Sequence, residues 1–265
     1  MKLLNTLSAT LLATHGLVAF AASGPDHDGG PPPTLGLGLG AVVSSTVYAG
    51  EDRRIRPVPF VSYESERFFW RGIGGGVHLV DRDGFSLDAT LSARLGGIKR
   101  KDFGAGELAR RGVNRDLLDE RDDGLDLGIA ATWGGDLGEL EAGLKADATG
   151  ASKGYEASLK YGYPMQLGGT RITPHAGVSL MSKKLSNYYF GTHDAEVARG
   201  VVNYKPGSAA VPSIGVDVVH PLSGKWIILG GLSYKILPTK ITDSPLLKKD
   251  TNGSVSLVLG VSRGF

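Results

Sequence analysis

The chain has 265 residues, with 29 Lys and Arg against 27 Asp and Glu and a formal net charge of +2. So even a balance provides no basic field for nucleic acid, and no nucleic-acid partner is expected. Cysteine is absent, which excludes disulfides, thiolate metal sites and thiol nucleophiles. Glycine is abundant, at 40 residues, with neither a collagen period nor a single linker to account for it.

The first predicted element is a targeting segment. Lys2 precedes the mostly apolar run Leu3 to Phe20, and Ala19-Phe20-Ala21 fits a small-x-small cleavage pattern. Residues 1–22 are therefore expected to be a signal peptide, since Asn5, Thr6, Ser8, Thr10, Thr14 and His15 make a weak permanent span. Residues 23–34, rich in Gly, Pro and Asp, read as a flexible lead-in. No later stretch approaches the roughly 18 apolar residues of a membrane helix. An exported chain that lies in a membrane would then have to be a closed barrel, because lipid offers no partner to an unpaired backbone.

From residue 35 to 265 the dominant period is two. Phe85, Leu87, Ala89, Leu91, Ala93 and Leu95 share one face against Ser86, Asp88, Thr90, Ser92 and Arg94. Leu125, Leu127, Ile129, Ala131 and Trp133 repeat the pattern, as do Leu140 to Ala148, Tyr155 to Tyr163, Ile172 to Leu180 and Trp226 to Tyr234. Segments of about ten residues with turn residues between them predict an all-β, antiparallel transmembrane β-barrel. About eleven strands are visible, starting near residues 35, 55, 67, 84, 124, 139, 154, 170, 210, 225 and 252. A barrel with both ends on one side needs an even number, so about twelve are expected, with ten as the fallback. Either a strand lies within 183–205 or one segment has been divided in two.

Charged residues repeatedly occupy the second face. In a barrel that face is the lumen, where Glu141, Lys145, Asp147, Glu156 and Lys160 are placed to form a cross-strand network. Tyr63, Phe68, Trp70, Trp133, Tyr163 and Trp226, near strand ends, suit an interfacial aromatic girdle. The closing segment Val255, Leu257, Leu259, Val261, Arg263 and Phe265 ends on a phenylalanine, as strands recognised by barrel-assembly machinery typically do, although Arg263 stands where an aromatic is more usual.

Three long connections, about 97–123, 182–209 and 236–251, are candidates for function. Lys99, Arg100 and Lys101, together with Tyr188, Tyr189 and Phe190, are the candidate partner-contact groups. No catalytic, cofactor or metal residues are assigned. Gly260-Val261-Ser262-Arg263-Gly264 matches a nucleophile elbow but lacks the following helix and histidine. Asp81-Arg82-Asp83-Gly84, Asp122-Asp123-Gly124 and Asn252-Gly253 read as turns, the last as a hairpin dipeptide. His78, His175 and His220 lie on predicted strands, where a lipid hydrolase would need a serine beside one of them.

Ordered blocks carry a family resemblance. Tyr48, Gly50 and Asp52 lead to Arg54, Pro57 and Pro59, and then to Arg67, Phe68 and Phe69. A second block holds Tyr189, Phe190, Gly191, Ala195, Ala198, Arg199, Tyr204 and Gly207, and a third is the run Asp243 to Leu247 with the closing strand. Together they resemble the MipA/OmpV family of outer-membrane proteins. The resemblance implies a barrel whose best-described member scaffolds a murein hydrolase (a lytic transglycosylase) and a bifunctional murein synthase. Other members are described as porin-like proteins, adhesins or antibiotic-response proteins. The expectation is thus a non-enzymatic outer-membrane barrel, bathed in outer-membrane lipid, that binds murein-remodelling proteins. A narrow porin and a lipid hydrolase are the alternatives.

Overall fold

A computed structural model describes residues 34–51 and 53–265. The signal peptide expected at 1–22 lies outside the described residues, as does the 23–34 segment apart from Thr34, which already begins the first strand. The strands in order are β1 (Thr34–Ser45), β2 (Arg53–Glu64), β3 (Phe68–Arg71), β4 (Gly74–Arg82), β5 (Phe85–Arg94), β6 (Gly124–Gly135), β7 (Gly138–Asp147), β8 (Tyr155–Gly162), β9 (Met165–Leu167), β10 (Thr170–Met181), β11 (Ala209–Pro221), β12 (Trp226–Ile236) and β13 (Gly253–Gly264). Each pairs antiparallel with its neighbours, and β1 pairs with β13 from Gly36↔Gly264 to Ser44↔Ser256, which closes the cylinder. β8 and β9 are one strand interrupted at Tyr163-Pro164, and both pair with β10, so the wall has twelve staves.

The twelfth strand is not in 183–205, which holds two short helices joined by irregular chain. It is β4, which forms a tight hairpin with β3 through Gly72, in the left-handed region at φ 64°. Gly74-Gly75-Gly76 carries no hydropathic alternation, and the register shifts between His78 and Val80. Both features conceal a strand from a period-two reading. Asn252-Gly253 is likewise not a hairpin turn, since it closes a long loop where Leu237 N–H donates to Asn252 O.

Alternation sorts the wall into two faces. Leu125, Leu127 and Ile129 of β6 are exposed on the outside while Asp126 is buried inside. Among the described residues no helix is long and apolar enough to cross a membrane. The outward apolar residues instead form a continuous coat suited to acyl chains. All six predicted girdle aromatics point outward. Tyr63 and Trp70 stand opposite one another, and Trp133 and Trp226 lie beside the short turns. Arg263 fits this belt, with its guanidinium 5.9 Å from the Trp226 ring centre and 5.2 Å from that of Phe265.

Both ends of the described chain, together with the tight turns at 65–67, 83–84, 136–137, 168–169 and 222–225, lie at one rim. The long connections all lie at the other. In outer-membrane barrels short turns face the periplasm and long loops face outward.

Candidate functional site

Two structures occupy the barrel: a folded cap on the loop end and a network of charges in the lumen. The cap assembles from 46–51, 95–123, 182–208 and 237–252 around one apolar core, which includes Tyr48, Phe103, Leu118, Leu185, Tyr189, Phe190 and Leu247. Its helices are short: α1 (Ala105–Ala109), α2 (Lys183–Phe190), α3 (Asp194–Ala198) and α4 (Thr239–Thr242). Ser182 caps α2 by accepting from Leu185 N–H. Spacing of four then places Leu185 and Tyr189 on one buried face. Tyr48 pairs with Leu247, stacks on Phe190 and donates its hydroxyl to Tyr189 O at 3.0 Å. Burial pushes the Tyr48 and Tyr189 hydroxyls well above the ordinary tyrosine range, so both stay protonated donors. Gly50, at φ 89°, meets Gly104 so closely that a Cβ there would lie 2.1 Å from the Gly104 backbone, which only glycine permits.

Arg121 pins the cap. Its guanidinium donates to the carbonyls of Tyr188, Asp119 and Gly191 and to both carboxylate oxygens of Glu196. Glu196 also accepts from the backbone N–H groups of Asp119 and His193, at 2.7 and 2.6 Å. Burial alone would raise its carboxyl. Arg121 and the two N–H groups outweigh burial and hold it below the usual range. His193 stacks on Tyr188, and burial followed by the Arg121 charge lowers its imidazole below the ordinary histidine value. Asp119, His193 and Glu196 bring ligand atoms within 4.8 Å of one another. The guanidinium on Glu196 neutralises the charge a cation would need, so this cluster is an ion-paired clasp.

The sequence-predicted contact groups divide on burial. Tyr189 and Phe190 fill the cap interior, and Tyr188 is half-buried with its hydroxyl accepting from Asp122 N–H at 2.8 Å. Lys99, Arg100 and Lys101 are exposed. Lys99 reaches Glu120 at 3.3 Å, and Arg100 donates to Leu118 O. Arg121 and Glu196 were missed because in sequence they look like members of ordinary charge runs. The helical spacing of 183–190 is the signal that would have placed Tyr189 inside.

In the lumen, Arg94 from the end of β5 donates to Asp126 at 3.0 Å and to Glu156 at 2.8 Å, and Lys145 approaches the same two carboxylates at 3.6 and 3.9 Å. Lower down, Lys160 pairs with Glu141 and Arg171 with Glu139. The predicted network therefore forms, with Arg94 and Asp126 added and Asp147 removed. Asp147 instead ties down the next turn, accepting from the N–H groups of Thr149, Ser152 and Lys153. His78 bridges Glu64 and Asp88, His175 lies 3.4 Å from Asp217, and His220 contacts Thr170. Among the described residues none of these three has a serine partner, and His78 and His175 face the lumen. The opposite sector is apolar, with Val42, Phe60, Leu229 and Val258 packed together. Exposure of the charged side chains falls from 31% at Glu139 and Glu141, near the turn rim, to 1% at Asp126 under the cap. The lumen is a well that opens toward the turns and closes under the loops.

An antiparallel twelve-stave cylinder with a lipid-facing coat, a charged interior and capped loops defines an outer-membrane β-barrel. The sequence profile of "MltA-interacting protein MipA" matches residues 37–265, and the chain belongs to that family. The MltA-interacting protein of Escherichia coli K12 is 30% identical over 249 residues, covering 93% of this chain and 95% of that protein. The outer membrane protein Omp26La of Vibrio anguillarum is 29% identical over 174 residues, covering 60% and 68% respectively. OmpV of Vibrio cholerae is 29% identical over 130 residues, covering 49% and 51%.

Proposed function

We propose that this barrel is a non-enzymatic membrane anchor that holds murein-remodelling proteins, a hydrolase and a synthase, at the inner face of the outer membrane. The observation that carries the reading is the closed well. A lumen crossed by paired charges and covered by a packed cap leaves no open path along the barrel axis, so the molecule serves as a rigid platform rather than a conduit. The name of the Escherichia coli relative, an MltA-interacting protein, supports a murein-related partner.

A murein enzyme works on the periplasmic side. It meets the turn rim, where Leu137 in one turn and Leu167 beside another stand 83% and 70% exposed. Lys99, Arg100, Lys101 and Tyr188 lie at the far end, where they would contact an external partner instead. Single cysteines at Leu137, Leu167 and Lys101, carrying a short photoactivated cross-linker in intact envelopes, separate the two ends. Murein enzymes are expected among the adducts from the two turn positions and not from Lys101. Adducts with them from Lys101 alone would reverse the orientation, and stable channels in a planar bilayer would contradict the platform reading.

A further inference from the structure

The wall is not hydrogen-bonded along its whole height. β3 and β4 turn back at Gly72-Ile73, where Gly72 N–H donates to Val61 O on one side and Ala93 N–H to Ile73 O on the other. Above that turn β2 has a partner strand only on its β1 side, because its register with β3 covers Ser62 to Glu64 alone. The next bond across the space is Arg54 Nη1 to Gly97 O, at the cap. A notch therefore stands in the loop-end half of the wall, with β2 residues 55–60 as one lip and the end of β5 as the other.

Two prolines build the notch into the sequence. In an extended strand alternate residues direct their N–H and C=O groups to the same side, and Val61 O points toward β3. Ile55, Pro57 and Pro59 share that direction. Proline has no N–H, so at two of these three positions the unpaired edge carries no orphan donor. Open edges survive at membrane depth only where something other than acyl chains meets their polar groups. Ile55, Pro57 and Pro59 face outward in the lipid coat, as do Leu39 and Leu91 nearby. Their neighbours Arg56, Val58 and Phe60 face inward. Phe60 lies on bare glycine, with a Cβ on Gly40 or Gly260 falling 2.1 or 2.2 Å from its ring, so the apolar sector of the lumen begins at the lip. The Nε and Nη2 atoms of Arg56 are buried without a hydrogen-bond partner. The charges acting on this guanidinium are Arg54, Asp123 and Glu51. Arg54 holds both oxygens of Glu51, and Asp123 gives one oxygen to Gly97 N–H.

We propose that this notch seats an acyl chain of an anionic lipid from the loop-end leaflet against the lumen-facing side chain of Val58, with the headgroup held by Arg56. An anion supplies the acceptor that the orphaned guanidinium lacks, and the acyl chain lies along half-buried Val58 at the edge of the apolar sector. The proposal is independent of any murein partner.

A photo-cross-linking residue at lumen-facing Val58 tests it in the full chain, with outward Leu39 as the positive control and lumen-facing Thr132 as the negative. The protein is reconstituted in phosphatidylcholine vesicles with or without phosphatidylglycerol, and folding is checked by heat-modifiable migration on gels. Lipid adducts are expected at Val58 and Leu39 but not at Thr132. Those at Val58 should favour phosphatidylglycerol roughly fivefold over its share, the bias of one basic group at a membrane. Arg56→Gln should abolish the preference and Arg56→Lys should keep it. Absence of lipid at Val58, or adducts there without headgroup preference, would overturn the proposal. Labelling by added oleate but not by phosphatidylglycerol would overturn the bilayer as the source.

Discussion

Arg121 and Glu196 stand 75 positions apart in the chain and form an ion pair from which both side chains are wholly withdrawn from solvent. This one contact joins the loop after β5 to the loop after β10. A buried pair adds little over an apolar substitute, but removing one partner strands the other charge, at about 3–5 kcal/mol. Glu196→Gln or Arg121→Met should therefore loosen the cap while leaving the barrel closed. Hydrogen exchange should rise across 182–208 and 95–123 in these variants, with the strand amides unchanged.

The same clasp gives the cap an acid limit. His193 has its imidazole lowered by burial and then by Arg121, so its neutral form stabilises the cap above about pH 6.5 and that contribution fades as pH falls. Glu196 is held below its ordinary value, so its contribution persists to lower pH and is lost only as the carboxyl protonates. Protease sensitivity of the loops should rise in two stages on acidification, the first beginning near pH 6.5. In His193→Gln the first stage should be absent.

Inside the wall, Arg94 is the shared partner of Asp126 and Glu156. Arg94→Met leaves Asp126 and Glu156 with Lys145 alone to balance their two charges and should cost about 3–5 kcal/mol in denaturant unfolding from vesicles. Adding Asp126→Asn, which leaves Glu156 to pair with Lys145, should recover most of that loss, because the uncompensated charge rather than the missing contact is the main penalty.

Arg263 interrupts the expected aromatic pattern of the closing strand, yet it lies between the Trp226 and Phe265 rings at the turn rim. Its long stem can cover apolar surface while the charge reaches headgroups. Arg263→Tyr should consequently leave unfolding free energy within about 0.5 kcal/mol, as for other exposed substitutions. A larger loss would show that the cation itself anchors the strand.

How far the sequence reveals this molecule depends on how local each feature is. β5, β6 and β7 are legible because every second residue meets lipid, and strict alternation needs no partner to be seen. β3 and β4 are not, since glycines and a register shift erase the period over a hairpin only four residues deep on one side. The cap is less legible still. Its core joins Tyr48, Phe103, Tyr189 and Leu247 from four separate loops, and no one loop carries a period that foretells the others. Tyr189 and Phe190 look like surface aromatics until α2 turns them inward. The notch was legible only as the motif Arg54, Pro57, Pro59, whose edge-strand meaning depends on where β3 stops.

The claim on which all of this stands is that alternate residues of the wall face lipid. Spin labels placed singly from Leu125 to Thr132 on β6, in reconstituted vesicles, report collision with oxygen from the bilayer and with a water-soluble nickel complex. Oxygen access should peak at 125, 127, 129 and 131 and drop at 126, 128, 130 and 132. A flat profile, or nickel collisions highest at the odd positions, would contradict the barrel.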